Sequence, residues 1–191
     1  MLLNAKQIAQ ITGASVVVEP LGSKELACDI TWDSRDVTPD ALYVALPGQR
    51  VDGHDFVDSA LRAGACLALV MKTPSQQTCA LARELGAGIL EVPDTTASIT
   101  HLAAAWRTKI SGCVIGLTGS SGKTTTKNLV RDVLSAQFSV VATKANQNNE
   151  LGVPRTLLAA DADTDYVVVE MGMRGMGQIH SLCSFVQPDM G

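Results

Sequence analysis

The stretch that decides the fold is Thr118-Gly119-Ser120-Ser121-Gly122-Lys123-Thr124-Thr125. It follows an apolar run at residues 114–117 and precedes a helical pattern at residues 128–134. A strand, a glycine-rich turn, a Lys-Thr pair and a helix in this order are typical of a phosphate-binding loop. Glycines let several backbone N–H groups face one anion, and the helix adds its positive dipole end. The sequence therefore predicts a nucleoside-phosphate site at this loop.

The loop is a variant of the usual phosphate-loop pattern, which requires Gly at position 117, where this chain has Leu. Lys123 is expected to meet the outer phosphates, and Thr124 to offer a hydroxyl to Mg²⁺. The alternative is a tight glycine turn whose lysine is merely solvated. Strand, loop, Lys-Thr and helix all agree, which favours the phosphate site.

Composition limits the function classes. The chain has 191 residues, is 46% hydrophobic and carries a net charge of −4, which argues against a general nucleic-acid binder. Its five cysteines form no CxxC pair, so we expect a protein of the reducing cytoplasm that has neither a disulfide framework nor a zinc site. No apolar run is long enough for membrane insertion, and the first residues do not resemble a signal peptide.

Strands alternate with helices along the chain, and the strands are continuous apolar runs, so we predict an α/β fold with parallel sheets. Strands are predicted at residues 15–19, 29–32, 41–46, 66–71, 89–92, 114–117, 139–143 and 165–170. Helices are predicted at residues 4–12, 56–63, 76–85, 95–109, 128–134 and 177–185. The boundary between two domains is expected after residue 93, giving domains at residues 1–93 and 94–191.

The pattern stops where another strand is expected to begin. We therefore expect the chain to be the front part of a longer protein, with an incomplete second domain.

Two polar features lie downstream of the loop. Glu170 ends an apolar strand, a position at which Mg²⁺ is commonly held beside a phosphate loop, although a surface Glu at a strand end is the alternative. The run from Asn146 to Pro154 (N-Q-N-N-E-L-G-V-P) either touches phosphate oxygens or forms an Asn-rich turn. The residues alone leave these two interpretations of the run equally open.

In combination, the phosphate loop, N-Q-N-N-E-L-G-V-P and V-V-E-M-G at residues 168–172 resemble the Mur ligase family, ATP-dependent enzymes that add amino acids to the peptidoglycan precursor. Asp33-Ser34-Arg35, L-Y-V-A-L-P-G at residues 42–48 and V-D-G-H-D-F at residues 51–56 are similar to the uridine-nucleotide domain of that family. The resemblance covers the whole chain, and it is the combination of motifs that is specific.

The resemblance implies a small N-terminal α/β uridine-nucleotide domain followed by a phosphate-loop ATP-binding domain. Carried over by position, the site facing the UDP-sugar consists of Ser34, Arg35, Gln49, Arg50 and Val51. The ATP site consists of Gly119, Ser120, Ser121, Gly122, Lys123, Thr124, Thr125 and Asn149. Lys123 and Glu170 are the expected catalytic residues, and Thr124 and Glu170 the expected Mg²⁺ ligands.

The implied activity is the ATP-dependent joining of D-alanyl-D-alanine to UDP-N-acetylmuramoyl-tripeptide through an acyl phosphate. The full-length ligase is expected to be cytoplasmic and monomeric. The present 191 residues alone are expected to be inactive. The alternatives are another Mur-type ligase, a folylpolyglutamate-type ligase, or a nucleotide-binding module without catalysis. The S-S-G-K-T loop combined with the Asn-rich run favours the ligase that adds D-alanyl-D-alanine over these alternatives.

The chain departs from the family pattern at two positions. The family usually has Gly at the positions of Asp40 and Ala145, and the first of these departures puts the geometry of its turn in doubt.

Overall fold

The structure is a computed structural model that describes residues 1–48 and 51–191, with only the backbone described at residues 23 and 25. Gln49 and Arg50, both expected at the uridine end of a site, lie outside the described residues. The described chain divides into two compact units, Met1–Ser98 and Ile99–Gly191. The dividing point falls inside a helix that begins at Thr95, slightly after the expected boundary.

The first unit alternates short strands with helices. Its elements are β1 (Leu3–Asn4), α1 (Ala5–Thr12), β2 (Ser15–Val18), a 3₁₀ helix (Gly22–Glu25), β3 (Leu26–Ala27), β4 (Asp29–Thr31), β5 (Ala41–Val44), a second 3₁₀ helix (Gly53–Phe56), α2 (Val57–Arg62), β6 (Leu67–Val70), α3 (Gln76–Leu85), β7 (Gly88–Glu91) and the start of α4 (Thr95–Arg107).

The main sheet of the first unit has the strand order β2-β7-β6-β5-β4 among the described residues. The strands from β4 to β7 are parallel, which confirms the predicted α/β class. The edge strand β2 runs antiparallel to β7, so an all-parallel sheet was the wrong expectation there. An antiparallel edge strand on an otherwise parallel sheet is common. A separate antiparallel pair, β1 with β3, was too short to be seen in the sequence.

Local sequence signals explain how α1 begins and ends. The Asn4 side chain accepts a hydrogen bond from Gln7 N at 2.8 Å, and Gln7 Oε1 accepts one from Asn4 N at 3.0 Å. This reciprocal pair is a capping box. Gly13 ends the helix in the left-handed conformation, with φ 71°. Both ends agree with the sequence prediction.

The core of the first unit is built on its two central strands. Every residue of β5 and β6 is buried, which is why both strands read as continuous apolar runs. Ala60 and Leu61 from α2 and Ala82 from α3 pack into the same cluster as Tyr43. The strand ends and the loops that follow them are therefore fixed by a dry core.

The second unit contains the phosphate-loop candidate. Its elements are the rest of α4, β8 (Cys113–Leu117), α5 (Lys123–Leu134), β9 (Val140–Ala142), α6 (Gly152–Leu158), β10 (Tyr166–Glu170) and α7 (Gln178–Val186). Within the described chain the sheet has the order β8-β10-β9, and both pairs are parallel. Met190 forms a further parallel bridge with Ile115 of β8. The predicted parallel sheet of this unit is confirmed.

Helix α6 was not predicted. The sequence analysis treated residues 146–154 as a loop, whereas the structure starts a helix at Gly152 and places Pro154 in its first turn. Proline lacks an N–H group, but the N–H groups of a first helical turn have no partner in the helix anyway, so proline is tolerated there. The Asn-rich run is therefore a short loop that leads into α6.

The two departures from the family pattern both have left-handed backbone. Asp40 has φ 61° and Ala145 has φ 48°. A residue with a Cβ atom is strained in this conformation, and glycine is not. The turns thus keep the geometry that glycine favours, although the side chains differ.

We expect Ala145→Gly to stabilise the second unit by about 0.5–1 kcal/mol, because relief of backbone strain outweighs the added freedom of the unfolded chain. Denaturant unfolding of the wild type and the variant measures the difference. The control is Ala136→Gly, an exposed alanine outside the left-handed region, which should lose stability. Loss of stability in both variants would contradict the strain at Ala145.

Candidate active site

The loop Thr118–Gly122 connects the C-terminal end of β8 to the start of α5. Gly119 has φ 152° and Gly122 has φ 76°, so both lie in the region that favours glycine. The first N–H groups of a helix have no partner within it, and Gly122, the N-cap residue, has no side chain to cap them. The loop and helix end together form a place where an anion can accept several N–H bonds.

The expected ATP-site residues of the loop follow this turn in order. Ser120 and Ser121 are exposed on the loop, and Thr125 is exposed on the first turn of α5. The Lys123 ammonium group donates to Gly119 O at 2.7 Å, folding over the turn. The same side chain lines a cavity of about 150 Å³ in this unit. Its charge is thus held beside the turn that leads into α5.

The two expected metal ligands are in direct contact. Thr124 Oγ1 donates to the Glu170 carboxylate, lying 3.0 Å from Oε2 and 3.2 Å from Oε1. Thr124 is in the first turn of α5, and Glu170 is the last residue of β10. The side chain of Glu170 is buried, which excludes the alternative of a surface glutamate at a strand end.

Glu170 is fixed from several sides. Its backbone N–H donates to Thr143 Oγ1 at 2.9 Å, and Asn148 Nδ2 donates to Glu170 Oε1 at 2.8 Å. Asn148 is pressed against Gly172, where an added Cβ atom would lie 2.7 Å from Asn148 Oδ1. Gly172 N also donates to Asn148 O at 2.8 Å. The carboxylate therefore has one defined orientation, with Asn148 as an amide partner.

Asn149 has a different role in the structure from its neighbour Asn148. Its side-chain oxygen accepts hydrogen bonds from Gly152 N at 3.0 Å and Leu151 N at 3.3 Å, so it shapes the start of α6. Asn149 also lines the 150 Å³ cavity together with Lys123. The sequence analysis had placed Asn149 at the site and had not singled out Asn148.

Two polar residues that lie against the Glu170 carboxylate, Asn148 and Lys127, were missed from the sequence. A signal for Lys127 was available, because it lies four residues after Lys123 and so on the same helix face. No comparable signal separates Asn148 from its Asn neighbours. The choice between them is made by the backbone of the loop and by the close approach of Gly172.

The first unit contains a larger cavity of about 560 Å³. Ser34, Arg35 and Val51, three of the five residues expected at the UDP-sugar, line it. The cavity lies where the loops after β4 and β5 meet, at the carboxyl ends of parallel strands. Ligands of open α/β sheets bind at this edge. Its apolar walls were not predicted and consist of Trp32, Tyr43, Leu46, Pro47 and Phe56.

Arg35 is held by Asp33 at the rim of this cavity. Its Nε and Nη2 atoms donate to the two carboxylate oxygens of Asp33 at 2.8 Å and 2.6 Å. The hydrogen bond and the charge of Asp33 raise the pKa of the Arg35 guanidinium. An anionic ligand would have to compete with Asp33 for this side chain.

Tyr43 supports the floor of the cavity. Its hydroxyl donates to Gly53 O at 2.8 Å, and burial raises its pKa to about 12. Tyr43 is therefore a neutral donor that fixes the loop after β5. A side chain at position 53 would clash, since an added Cβ atom would lie 2.7 Å from Leu46 N.

Asp52 anchors the far end of the same loop. Its Oδ1 accepts from His54 N at 3.0 Å and lies 2.6 Å from His54 Nδ1, and its Oδ2 accepts from Lys72. His54 Nε2 accepts from Met71 N at 3.0 Å, which requires the proton to be on Nδ1. His54 stands in the second 3₁₀ helix. These contacts fix the chain immediately after the predicted uridine-binding residues.

A parallel sheet whose first strand leads through a glycine turn and a Lys-Thr pair into a helix defines the second unit as a phosphate-loop α/β domain. Residues 29–107 match the catalytic domain of the Mur ligase family, and residues 117–191 match the Mur ligase middle domain. The chain belongs to the Mur ligase family.

The chain is similar to several UDP-N-acetylmuramoyl-tripeptide–D-alanyl-D-alanine ligases. The chain is 43% identical over 165 residues to the Synechocystis enzyme. The matched segment covers 85% of this chain and 35% of that enzyme. It is similar to the crystal structure of MurF from Acinetobacter baumannii, with TM-score 0.83 and 32% identity over 98% of this chain and 40% of that one. It is also similar to the MurF ligase from Thermotoga maritima in complex with ADP, with TM-score 0.70 and 34% identity over 84% of this chain and 36% of that one.

The chain thus spans roughly two fifths or less of the length of these relatives. No helix in the described part of the chain combines the length and the hydrophobicity needed to cross a bilayer.

The Asp52 contacts predict a pH-dependent contribution to stability. Hydrogen bonds from Lys72 and then His54 lower the pKa of Asp52 below its ordinary value of 3.8. A lowered folded-state pKa stabilises the fold above the unfolded-state value, and this stabilisation is lost as the pH falls through the folded-state pKa. We expect Asp52→Asn to lower the denaturation midpoint at pH 7, and the difference from wild type to shrink by pH 3.

Denaturant unfolding at both pH values measures this difference. Asp36→Asn, which removes an exposed carboxyl of the same unit, is the control and should change the midpoint little at pH 7. A deficit for Asp52→Asn that stayed constant between pH 7 and pH 3 would contradict the ionic origin of the anchor.

Proposed function

We propose that this chain is the precursor-binding and ATP-binding portion of a cytoplasmic ligase that joins D-alanyl-D-alanine to UDP-N-acetylmuramoyl-tripeptide. The names of its relatives and the similarity over nearly the whole chain support this function. We assign precursor binding to residues 1–93 and ATP binding to residues 94–191. The observation that carries the proposal is the contact between Thr124 and Glu170 behind the phosphate loop.

ATP is proposed to bind with its phosphates at the loop. Free N–H groups of the loop and of the first turn of α5 would donate to the phosphates, and Lys123 would bring the positive charge for the outer phosphates. The complex of the Thermotoga maritima relative with ADP supports adenine-nucleotide binding by this chain. Ser120, Ser121 and Thr125 are exposed beside the loop, and Asn149 lies on the adjoining cavity.

The residues at the end of β10 fit Mg²⁺. The Thr124 hydroxyl and the Glu170 carboxylate offer the hard oxygen ligands that this ion prefers. Phosphate oxygens of the nucleotide and water molecules would supply the remaining ligands. When bound, Mg²⁺ offsets the negative charge that builds up on transferring phosphate oxygens. Asn148 would hold the carboxylate in the orientation needed for this task.

The proposed reaction has two balanced steps. A carboxylate oxygen of the tripeptide attacks the γ-phosphorus of ATP, and the bond from this phosphorus to the β–γ bridging oxygen breaks. ADP leaves, and the tripeptide carries an acyl phosphate. The D-alanyl-D-alanine amine then attacks the acyl carbon, phosphate leaves with the bonding electrons, and the amine loses a proton to give an amide. Lys123 and the loop N–H groups contribute by positioning and by charge neutralisation.

The UDP-sugar is proposed to bind in the 560 Å³ cavity of the first unit. The aromatic side chains of Trp32 and Phe56 offer flat apolar surface to a base or sugar, and Ser34 and Arg35 offer polar contacts. Arg35 would exchange one oxygen of Asp33 for the diphosphate. Gln49, Arg50 and Val51 are assigned to the uridine end from the family resemblance.

The ligase assignment is tested with the polypeptide encoded by the reading frame that contains these 191 residues. It is incubated with ATP, Mg²⁺, UDP-N-acetylmuramoyl-tripeptide and D-alanyl-D-alanine, and the pentapeptide product is sought by mass. Parallel reactions replace the dipeptide by single amino acids, or the precursor by a folate. Turnover with a different acceptor would assign another ligase of the family, and the absence of turnover with every acceptor would support a nucleotide-binding module.

Lys123→Ala should weaken ADP binding by the 191-residue chain by about 2 kcal/mol, the typical contribution of a hydrogen bond to a charged group, or roughly 30-fold in Kd. Isothermal titration calorimetry measures this change. Lys144→Ala, at an exposed lysine of the same unit, is the control and should bind ADP like the wild type. Equal affinity of Lys123→Ala and wild type would remove the phosphate-loop assignment.

Arg35→Ala should weaken UDP binding by the chain by about 1 kcal/mol, or roughly fivefold. The expected loss is modest because Arg35 already pairs with Asp33 before the ligand binds. The matched control is Arg62→Ala, an exposed arginine on α2 of the same unit. An unchanged Kd for UDP would show that the diphosphate is bound elsewhere.

A further inference from the structure

Lys127 is a buried charged residue that the proposed reaction does not use. Only 2% of its surface is exposed, although it sits on α5 one turn after Lys123. Lysine is almost never fully buried unless its charge is paired. A buried ammonium group behind a phosphate loop therefore has to be explained by what it contacts.

The Lys127 ammonium group has two partners. It donates to Ala145 O at 2.7 Å, and it lies 3.7 Å from Glu170 Oε2. The Glu170 side chain is equally buried, with 1% exposed. The ion pair is thus shielded from water. Charges in the protein interior interact more strongly than charges at the surface.

These contacts attach the Asn-rich loop to one carboxylate at two points. Ala145, which has left-handed backbone, immediately precedes the Asn-rich loop, and its carbonyl oxygen accepts the hydrogen bond from Lys127. Three residues later, Asn148 donates to the other oxygen of Glu170. Lys127 therefore influences both the direction of the carboxylate and the position of the loop that lines the 150 Å³ cavity.

The charges around this cavity are poorly suited to a bare divalent cation. Lys123, Arg174 and Glu150 line it, and Lys127 stands against Glu170 behind it. The sum of these five side-chain charges is +1. Among the described residues, no group of three or more His, Cys, Asp or Glu side chains is arranged to hold a metal ion. A cation at Glu170 would meet the positive charge of Lys127 directly, and nucleotide phosphates would supply the missing negative charge.

We propose that Lys127 is a positioning residue that orients Glu170 and the Asn-rich loop and makes divalent-cation binding at Glu170 depend on the nucleotide. This inference rests on the ATP site proposed above. In the nucleotide-free protein, Lys127 is the resident countercharge of the carboxylate. Phosphate groups then balance both the lysine and the incoming cation, so the cation and the nucleotide bind cooperatively. This coupling is reciprocal, because each ligand raises the affinity for the other by the same factor.

The test uses the 191-residue chain with Mn²⁺ as the probe, since carboxylate and water ligands suit Mn²⁺ as they suit Mg²⁺. Electron paramagnetic resonance measures Mn²⁺ binding without nucleotide. Calorimetry measures the Kd for ADP binding first in the presence of a chelator and then with saturating Mn²⁺. The factor by which Mn²⁺ lowers this Kd is called the metal gain. The variants are Lys127→Met, Lys127→Gln and Glu170→Gln, together with Lys127→Met in the Glu170→Gln background. Lys144→Met is the matched control, because it removes an exposed charge beside the same loop.

We expect Lys127→Met to bind Mn²⁺ without nucleotide at least fivefold more tightly than the wild type, and its metal gain to fall at least threefold. Lys127→Gln, which keeps a side-chain donor for Ala145 O but lacks the charge, should change both quantities in the same direction. Lys144→Met should match the wild type. In the Glu170→Gln background, Lys127→Met should leave the metal gain unchanged, because the lysine acts through that carboxylate.

Equal Mn²⁺ affinity and equal metal gain in wild type and Lys127→Met would overturn the proposal. So would a Lys127 effect that persists in the Glu170→Gln background, or a failure of both Lys127 single variants to fold while the double variant folds. The last result would make the pair purely structural, since the double variant contains no unpaired buried charge. If the wild-type chain binds no ADP with or without Mn²⁺, the ATP site itself is refuted, and the inference falls with it.

Discussion

The contact between Thr124 and Glu170 is the interaction on which the second unit's site depends. It joins the first turn of α5 to the last residue of β10, so the helix end proposed to bind phosphate and the carboxylate proposed to bind a cation keep a fixed separation. A hydroxyl that donates to a buried carboxylate satisfies a group that would otherwise be costly to bury. Asn148 and Lys127 complete the same environment from the neighbouring loop and from α5.

The first unit uses a different means to the same end. Its cavity has apolar walls carried by strands with a dry core, and its polar groups are held by their own neighbours before any ligand arrives, as Arg35 is by Asp33. Asp52 and Tyr43 fix the loop after β5 at its end and at its base. Groups held in this way lose little conformational freedom on binding, which is the advantage of a preorganised site.

Much of this arrangement could be predicted from the sequence, because continuous apolar strands and helical spacing record which faces are buried. Glu170 was predictable as a residue at a strand end beside a phosphate loop. The role of Asn148 was not, since adjacent asparagines look alike until the loop backbone and Gly172 select one of them. Helix α6 was missed because the Asn-rich run was interpreted as a loop or turn, whereas proline is tolerated in the first helical turn, where Pro154 lies. The antiparallel direction of β2 depends on tertiary pairing and left no local signal.

The spacing of α5 connects the two charges of the site. Lys123 and Lys127 are one helical turn apart, so a helix that presents the first to the loop must direct the second toward the sheet end where Glu170 lies. The second lysine could not be left there without a partner, because an unpaired ammonium group in a dry interior is strongly unfavourable. Glu170 and Ala145 O supply that partner, and the left-handed strain at Ala145 is tolerated beside this contact. The carboxylate that suits a cation and the loop that lines the cavity are thereby parts of one charge-balanced unit.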